Sequence, residues 1–346
     1  AVVLVYPSDI KALRILLEEE MIAAKVYSYF STSFLVFWNI VIAIDQRMRL
    51  PIVCLSKGSR ICMFHGQPTK GNVYSGFNYR QFDGLSFYGP LMRDYYIREK
   101  SKHDEWPDIP TWNIGQPKSD EIFRSNELER KAASLIGVDA SKKTIVYAPS
   151  FESCGSLAIF GENIIRSLAT IDANVIVKPH PAFYRVLDKS DKFFSGVPHA
   201  SEWREFASSI CELGNVVFPL DKQIRVEYVL SLADVLVTDH SGIAFDAMLL
   251  DIPVIYFDCP EFFSDYLPKQ YGVDGESARR DIFSNAGRDS GEVVEDISSL
   301  LVALDAALSN REINSYERRK ISEKLLYNPG QATEFFIRNL INISGD

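Results

Sequence analysis

The sequence predicts an α/β protein of two domains, each with a parallel sheet, that face one another across a cleft. The chain has 346 residues, which is enough for two full cores. In its second half, short apolar runs alternate with helical stretches, a pattern typical of parallel sheets with right-handed crossovers. The clearest unit, Ala233–Asp258, has the pattern of a strand, a polar turn, a buried helix and a second strand.

The first domain is expected to span residues 1–141. A helix is predicted over Ile10–Ala24, and a second over Asp120–Ile136 ends at Gly137. Strands are predicted at Phe34–Ile44, Ile52–Leu55, Arg60–Phe64 and Gly84–Tyr88. We place the domain boundary near Lys142, because the regular alternation of strands and helices begins there.

The second domain is expected to span residues 142–346, with a last helix that packs back on the first domain. Its strands are predicted at Thr144–Tyr147, Asn174–Val177, Val216–Phe218, Val235–Val237 and Val254–Phe257. Its helices are predicted at Gly161–Thr170, Val226–Leu232, Ile243–Leu250, Val293–Leu308 and Tyr316–Ile341.

Composition excludes several classes of protein. A net charge of −9 argues against a nucleic-acid binder and against a polybasic membrane anchor. The 5 cysteines are widely spaced without a Cys-x-x-Cys pair, which favours a reduced cytoplasmic protein with buried thiols. The most apolar stretch, Phe34–Ile44, is about half the length of a membrane-spanning helix. The chain begins with Ala1 rather than methionine, as expected of a trimmed chain.

Familiar cofactor and metal motifs are missing from the sequence. It contains no Asp-x-Asp, His-Glu-x-x-His or Cys/His cluster with metal-ligand spacing. Neither dinucleotide-binding nor P-loop glycine patterns occur, and there is no Gly-x-Ser-x-Gly elbow. We therefore expect no metal ion and no cofactor.

The turn Thr238–Gly242 indicates an anion site. A helix that starts at Ser241 and Gly242 directs backbone N–H groups at the carboxyl edge of the sheet, where ligands of open α/β folds bind. Alternatively, Asp239 or Ser241 only caps the helix, an effect of about 1 kcal/mol. Asp246, in an otherwise apolar helix, needs a partner and either braces the turn or faces the cleft.

Two further loops carry histidines. Lys178-Pro179-His180-Pro181 follows a buried strand, and its prolines fix the direction of an imidazole that is able to donate to a phosphate. His65 precedes Gly66 at another strand end, where an imidazole is suited to accept a proton from an attacking hydroxyl. For both histidines, the alternative is a structural turn.

Together these residues resemble the CDP-glycerol glycerophosphotransferase family, the teichoic-acid polymerases and primases with a GT-B fold. The family elements His-Gly-x-Pro-x-Lys, Gly-x-Pro-Arg-x-Asp, Tyr-Ala-Pro-Thr, Lys-x-His-Pro and Ala-Asp-x-Leu-x-Thr-Asp-Tyr-Ser-Ser are similar to His65–Lys70, Gly115–Asp120, Tyr147–Ser150, Lys178–Pro181 and Ala233–Gly242. Lys118 stands for the arginine, His240 for the tyrosine and Gly242 for the second serine.

The resemblance implies transfer of a phosphoglycerol unit from CDP-glycerol, with release of CMP, to a lipid-linked or polymeric acceptor. His65 would activate the acceptor hydroxyl, and His180 would stabilise charge on the departing phosphate. Substrate contacts are expected from Gly66, Lys70, Pro149, Ser150, Lys178, Thr238, Asp239, Ser241, Gly242 and Asp246. A cytoplasmic location is expected, with peripheral association at the inner face of the plasma membrane.

Two other functions remain open at this point. One is a nucleotide-sugar glycosyltransferase of capsule or lipopolysaccharide synthesis on the same fold. The other is a GT-B relative that binds a nucleotide without catalysis. The donor itself, whether CDP-glycerol, CDP-ribitol or a nucleotide sugar, is not determined by these residues.

Overall fold

The computed structural model describes residues 2–5, 25–28, 40–43, 59–64, 67, 79–124, 127–180, 207–218 and 224–344. The expectations for Ile10–Ala24, Ile52–Leu55, His65, Gly66 and Lys70 fall outside these residues. No helix within the described ranges is both long enough and apolar enough to cross a bilayer.

Three parallel sheets organise the described residues, as the strand and helix alternation predicts. The two-stranded sheet contains β1 (Val2–Val5) and β2 (Lys25–Ser28). The four-stranded sheet, in the order β3-β4-β5-β6, contains β3 (Ile40–Ala43), β4 (Ser59–Met63), β5 (Gly84–Phe87) and β6 (Thr111–Asn113). The six-stranded sheet, in the order β12-β11-β10-β7-β8-β9, contains β7 (Thr144–Tyr147), β8 (Asn174–Val177), β9 (Val216–Val217), β10 (Val235–Thr238), β11 (Val254–Phe257) and β12 (Glu292–Val294).

Helices cover the faces of these sheets. The first group comprises α1 (Pro90–Lys100), α2 (Asp120–Arg124), α3 (Glu127–Ile136), α4 (Ser156–Phe160), α5 (Glu162–Leu168) and α6 (Val226–Ser231). The second group comprises α7 (Ile243–Leu249), α8 (Leu267–Tyr271), α9 (Gly275–Arg280), α10 (Ile297–Ser309), α11 (Ser315–Leu325) and α12 (Ala332–Ser344). A π-helical turn, Phe262–Tyr266, precedes α8.

The central strands β7, β8, β10 and β11 are buried along their whole length. Their β-branched and aromatic side chains alternate between two apolar cores, one on each face of the sheet. The first core contains Val146 and Leu236 of this sheet together with Leu85 and Phe87 of β5. The six-stranded and four-stranded sheets therefore share one core.

The prediction of a helix over Val293–Leu308 is wrong at its start. Residues Glu292–Val294 form the edge strand β12, which pairs with β11. The helix begins at Ile297, after a capping box in which Asp296 and Ser299 bond each other's backbone N–H groups. Sequence periodicity missed the strand because it has only three residues and is exposed at one edge.

The prediction of a single helix over Tyr316–Ile341 is also wrong. The chain leaves the helical path after Leu325 and resumes it at Ala332. Between these points Asn328 and Gly330 have positive φ values of 51° and 76°, which a right-handed helix does not allow. The segment Asp120–Ile136, predicted as one helix, is helical over Asp120–Arg124 and Glu127–Ile136, and residues 125 and 126 lie outside the described residues. Sequence reasoning also missed the strands β1, β2 and β6 and the helices α1, α4, α8 and α9.

The last helix contacts the four-stranded sheet. Phe336 of α12 packs with Ile61 and Ile114 in a small apolar cluster. The carboxylate of Asp120 accepts hydrogen bonds from the backbone N–H groups of Ala332 (2.9 Å) and Thr333 (2.7 Å) at the start of α12.

The two larger sheets are formed by residues on either side of position 142, and the predicted domain boundary near Lys142 stays a prediction.

The cysteines partly match expectation. Cys62, Cys154 and Cys259 are buried free thiols, as predicted. Cys211 is also a free thiol but is exposed, because it lies in a polar helical turn rather than against a core. The prediction that all thiols are buried is therefore wrong for Cys211.

Candidate active site

Polar loops follow four adjacent strands of the six-stranded sheet, in the spatial order β8, β7, β10 and β11. All four loops leave the same edge of the sheet because the strands are parallel. Side-chain contacts join each loop to its neighbour, as described below. We call this set the linked loops: residues 148–156 after β7, 178–180 after β8, 239–242 after β10 and 258–263 after β11.

Asp239 joins the loop after β7 to the turn after β10. Its carboxylate accepts hydrogen bonds from the backbone N–H groups of Ser150 (3.0 Å), Ser156 (2.9 Å) and His240 (2.7 Å), and from the Ser156 hydroxyl (2.9 Å). Burial raises the pKa of Asp239, but the charge of His240 and these donors outweigh burial and hold the pKa below its ordinary value. Asp239 is thus an ionised internal anchor, and its direct contact with substrate stays a prediction.

His240 occupies the centre of the linked loops and is 1% exposed. Its Nε2 atom lies 2.8 Å from Ser150 Oγ and 3.2 Å from Glu152 Oε2, and its Nδ1 atom lies 3.9 Å from Asp239 Oδ1. The ring stacks on Phe262 with centroids 3.6 Å apart. Sequence reasoning treated His240 only as a departure from the family pattern and missed Glu152, which carries no motif signal.

The contact between Ser150 and His240 has the form of a nucleophile beside a base, but it does not activate the serine. A base must hold an unprotonated nitrogen against the hydroxyl. Here Glu152 lies within hydrogen-bond distance of the same Nε2 atom, and an Nε2–H that donates to a carboxylate cannot accept the proton of Ser150. The arrangement instead holds the two loops together.

Three buried groups lie close enough to suggest a metal site. Ligand atoms of Asp239, His240 and Cys259 are within 4.8 Å of one another. The donor set does not fit a cation, because the Asp239 carboxylate already accepts hydrogen bonds from four different donors. The expectation of no metal ion stays a prediction.

Lys178 and His180 lie at the end of β8. Lys178 is 9% exposed, and burial lowers its pKa, although the nearby carboxylate of Glu227 opposes that effect. His180 is exposed, and its ring centroid lies 4.6 Å from that of Phe151 in the loop after β7. Two positively chargeable side chains therefore stand at the edge of the linked loops. Sequence reasoning missed Glu227 because it lies on a distant short helix.

The helix after the polar turn begins at Ile243, the first residue of the predicted range Ile243–Leu250. Gly242 is its N-terminal cap and forms no side-chain capping bond, and α7 starts at Ile243. Capping by Asp239 or Ser241, the alternative interpretation, is therefore not what this turn displays. Thr238, at the end of β10, donates from Oγ1 to the carbonyl of Ala148 (2.7 Å) and is fully buried, next to the buried Pro149.

Asp246 finds its partners in the other half of the chain. Its carboxylate accepts from Gln116 Nε2 (3.3 Å) and lies 3.5 Å from Lys118 Nζ. Two sequence motifs more than a hundred residues apart thus meet at one carboxylate. The structure brings together Ser150, Asp239 and His180 in the linked loops, with Thr238 at the end of β10 beside them. Asp246 instead contacts the Gly115–Asp120 segment.

The motif that contains His65, Gly66 and Lys70 lies outside the described residues, but its flanks are anchored. The Tyr88 hydroxyl donates to the carbonyl of Phe64. Gln67 Nε2 donates to the carbonyl of Leu325 (3.1 Å). The roles of His65, Gly66 and Lys70 stay predictions.

Comparison with known proteins decides the family. Residues 109–342 match the family described as CDP-Glycerol:Poly(glycerophosphate) glycerophosphotransferase, which is more than half of the chain. The chain belongs to this family. One relative of this chain is the teichoic acid glycerol-phosphate primase of Bacillus subtilis (strain 168), which is 23% identical over 189 residues. That match covers 54% of this chain and 40% of the relative, so the chain spans less than half of the primase.

Solved structures support the fold of this glycerophosphotransferase family member. The wall teichoic acid polymerase TagF is 16% identical, with a TM-score of 0.64 over 93% of this chain and 78% of that chain. A histidine-to-asparagine variant of TagF, soaked with CDPG, matches with a TM-score of 0.65 at 16% identity over 93% of this chain and 77% of that chain. The predicted α/β fold of the GT-B type is confirmed.

Proposed function

We propose that this chain moves a glycerol-phosphate or related polyol-phosphate unit from a CDP-activated donor to a hydroxyl of a cell-surface polymer or lipid-linked acceptor. The observation that carries the proposal is that side-chain contacts join neighbouring polar loops at one edge of the sheet, in a member of the glycerophosphotransferase family. Ligands of open α/β sheets bind at this carboxyl edge. The CDPG used to soak TagF supports the choice of donor.

The side chains at this edge suit a diphosphate. In the proposed mechanism, Lys178 and His180 face the donor phosphates, and backbone N–H groups at Ser241 and Gly242 supplement their charge. His65 takes the proton of the acceptor hydroxyl. The acceptor oxygen then forms a bond to the phosphorus of the glycerol-phosphate unit, and the bond from that phosphorus to CMP breaks.

The proposal also covers the cellular location of the reaction and the groups that take part in it. A lipid-linked acceptor lies at a bilayer, so the protein acts as a peripheral enzyme at the inner face of the plasma membrane. The donor is consumed as substrate, and neither a cofactor nor a metal ion takes part.

The proposal is tested with the purified chain, CDP-glycerol and a panel of polyol-phosphate primers. We expect release of CMP with the primer extended by one glycerol-phosphate mass. His65→Ala is expected to lower turnover by about 10²–10⁴-fold while leaving CDP affinity nearly unchanged. Release of UDP or UMP from nucleotide sugars, without CMP from CDP-glycerol, would overturn the proposal and favour a glycosyltransferase.

A further inference from the structure

Asp258 differs from the other aspartate of the linked loops in what its carboxylate binds. The Asp239 carboxylate accepts hydrogen bonds from four different donors. The Asp258 carboxylate, directly after β11, accepts no hydrogen bond from the described part of the chain, and its Oδ1 atom is buried. An ionised carboxylate has about four acceptor positions. A buried carboxylate oxygen without a hydrogen bond is rare in proteins, which marks Asp258 as a position that a ligand can complete.

Two arginines hold Asp258 by charge rather than by hydrogen bonds. Arg288 Nη2 lies 2.9 Å from Asp258 Oδ1, yet the hydrogen bond of that group goes to the carbonyl of Phe257 (3.2 Å). Arg288 Nε is also buried and has no hydrogen-bond acceptor, and Arg279 Nη1 lies 3.9 Å from the same Asp258 oxygen. The ring of Phe263 lies under both guanidinium groups, with its centroid 4.6 Å from Arg279 Cζ and 5.6 Å from Arg288 Cζ. We call Asp258, Arg279 and Arg288 the Asp258 cluster.

Exposure decides which groups of the Asp258 cluster a ligand can meet. The Arg288 side chain is 10% exposed, the Asp258 side chain 20% and the Arg279 side chain 37%. Because Asp258 Oδ1 is buried, Oδ2 is the carboxylate oxygen that faces solvent. The surface of the cluster therefore combines a carboxylate acceptor with the N–H donors of Arg279, and Arg288 is the buried member.

This combination of groups fits a pair of adjacent hydroxyls. One hydroxyl donates to the carboxylate of Asp258, and its neighbour accepts from the guanidinium of Arg279. A phosphate fits less well because Asp258 repels it, and a metal cation fits less well because both arginines repel it. We propose that Asp258 and Arg279 form a subsite for a vicinal diol of the donor, and that Arg288 positions Asp258 within it. The identity of the donor rests on the proposed function.

The subsite lies at one end of the row of linked loops. Lys178 and His180 follow β8, and Asp258 follows β11, three strands away in the order of the sheet. Neighbouring strands are about 4.8 Å apart, so about 14 Å separates the two ends of the row. A donor whose diphosphate lies towards Lys178 and His180 extends its hydroxyl-bearing part towards Asp258. CDP-glycerol carries two vicinal diols, one on the ribose and one on the glyceryl group.

The subsite is tested by calorimetric titration of CDP-glycerol and of CDP into the unchanged protein and into Arg279→Ala. We expect Arg279→Ala to weaken CDP-glycerol binding by about 10-fold, because a hydrogen bond from a charged donor is lost. Arg280→Ala is the matched control, since Arg280 is the next residue of α9 and is also exposed. The control should bind CDP-glycerol as the unchanged protein does.

The pattern of affinities identifies the diol. If the glyceryl diol occupies the subsite, Arg279→Ala weakens binding of CDP-glycerol and leaves CDP affinity unchanged. If the ribose diol occupies it, both affinities fall by the same factor, and the 2′,3′-dideoxy analogue of CDP binds the variant and the unchanged protein equally. Unchanged affinity for both CDP-glycerol and CDP, or an equal loss in Arg280→Ala, would overturn the proposal.

Asp258→Asn tests the acceptor of the subsite. The change keeps the size of the side chain but removes the charge that holds both arginines, so CDP-glycerol binding should fall by about 10-fold. Thermal melting verifies that the variant folds. A folded Asp258→Asn protein with a lowered melting temperature and unchanged affinity would show that the Asp258 cluster is only structural, which overturns the proposal. If Asp258→Asn does not fold, the exposed Arg279→Ala still decides the question.

Binding and turnover together separate this subsite from the proposed function. Binding of CDP-glycerol without release of CMP counts against the proposed function alone, because the titrations need no acceptor. Release of CMP by a protein whose Arg279→Ala variant binds CDP-glycerol normally counts against the subsite alone. Failure of the unchanged protein to bind both CDP-glycerol and CDP would overturn the two proposals together.

Discussion

At the scale of single residues, the candidate site separates side chains that hold the loops from side chains that face outward. Asp239 and His240 are each 1% exposed and bind other parts of the protein. His180 is exposed and rests on one aromatic ring. A motif alone cannot make this distinction, because all three are polar residues at a strand end. Burial makes this distinction among the three, since only the exposed His180 is able to meet a phosphate without moving the loops.

His180→Ala is therefore expected to weaken CDP binding without destabilising the fold. Loss of a hydrogen bond to a charged group costs about 1.5–3 kcal/mol, or roughly 10- to 150-fold in affinity. Calorimetric titration measures the affinity, and thermal melting verifies the fold. His103→Ala, which removes another exposed imidazole, should bind CDP as the unchanged protein does. Equal affinity of both variants would remove His180 from the site.

Asp239→Asn is expected to destabilise the protein at neutral pH and much less in acid. The folded pKa of Asp239 lies below the ordinary pKa of an aspartate side chain, so its stabilising effect is complete above that ordinary pKa. The effect is lost as pH falls through the lower, folded pKa. Urea unfolding of both proteins at pH 7 and at successively lower pH measures the difference. A loss of stability that grows on acidification would contradict this assignment.

At the scale of elements, the sequence predicted the bounds of a strand correctly where both faces of that strand are buried. The strands Thr144–Tyr147, Asn174–Val177 and Val254–Phe257 have the predicted bounds because both faces are covered and the apolar run ends where the sheet ends. The edge strand β12 exposes Val293 and has no such run. Likewise, contacts such as Glu152 with His240 join distant loops and leave no local pattern.

The approach of α12 to the motif Gly115–Asp120 gives a prediction at this scale. Gly115 has a φ of 90°, and a Cβ atom there would lie 2.2 Å from the carbonyl oxygen of Tyr327 and 2.6 Å from Ala332 Cβ. Gly137 has a similar φ of 82° but nothing within 4 Å. Gly115→Ala should therefore cost about 1–3 kcal/mol more than Gly137→Ala in chemical unfolding. Equal losses would mean that backbone strain, not the clash, limits this position.

At the scale of the whole molecule, we expect the proposed reaction to depend on protein charges rather than on a metal ion. The one group of possible ligands found among the described residues has its carboxylate engaged by four donors. Transfer from CDP-glycerol should therefore proceed at an unchanged rate after dialysis against EDTA. Loss of activity that Mg²⁺ or Mn²⁺ restores would contradict this expectation and require a metal-bound donor.

The contacts between the two halves of the chain determine where it can be joined to parts of its relatives in a chimera. Gln116 and Lys118 contact Asp246, and Asp120 holds the start of α12. In a chimera joined at position 142, the two residues of each of these contacts would come from different parent proteins. An exchangeable donor-binding module would instead begin before Gly115 and run through α12, so that every such pair is inherited from one parent.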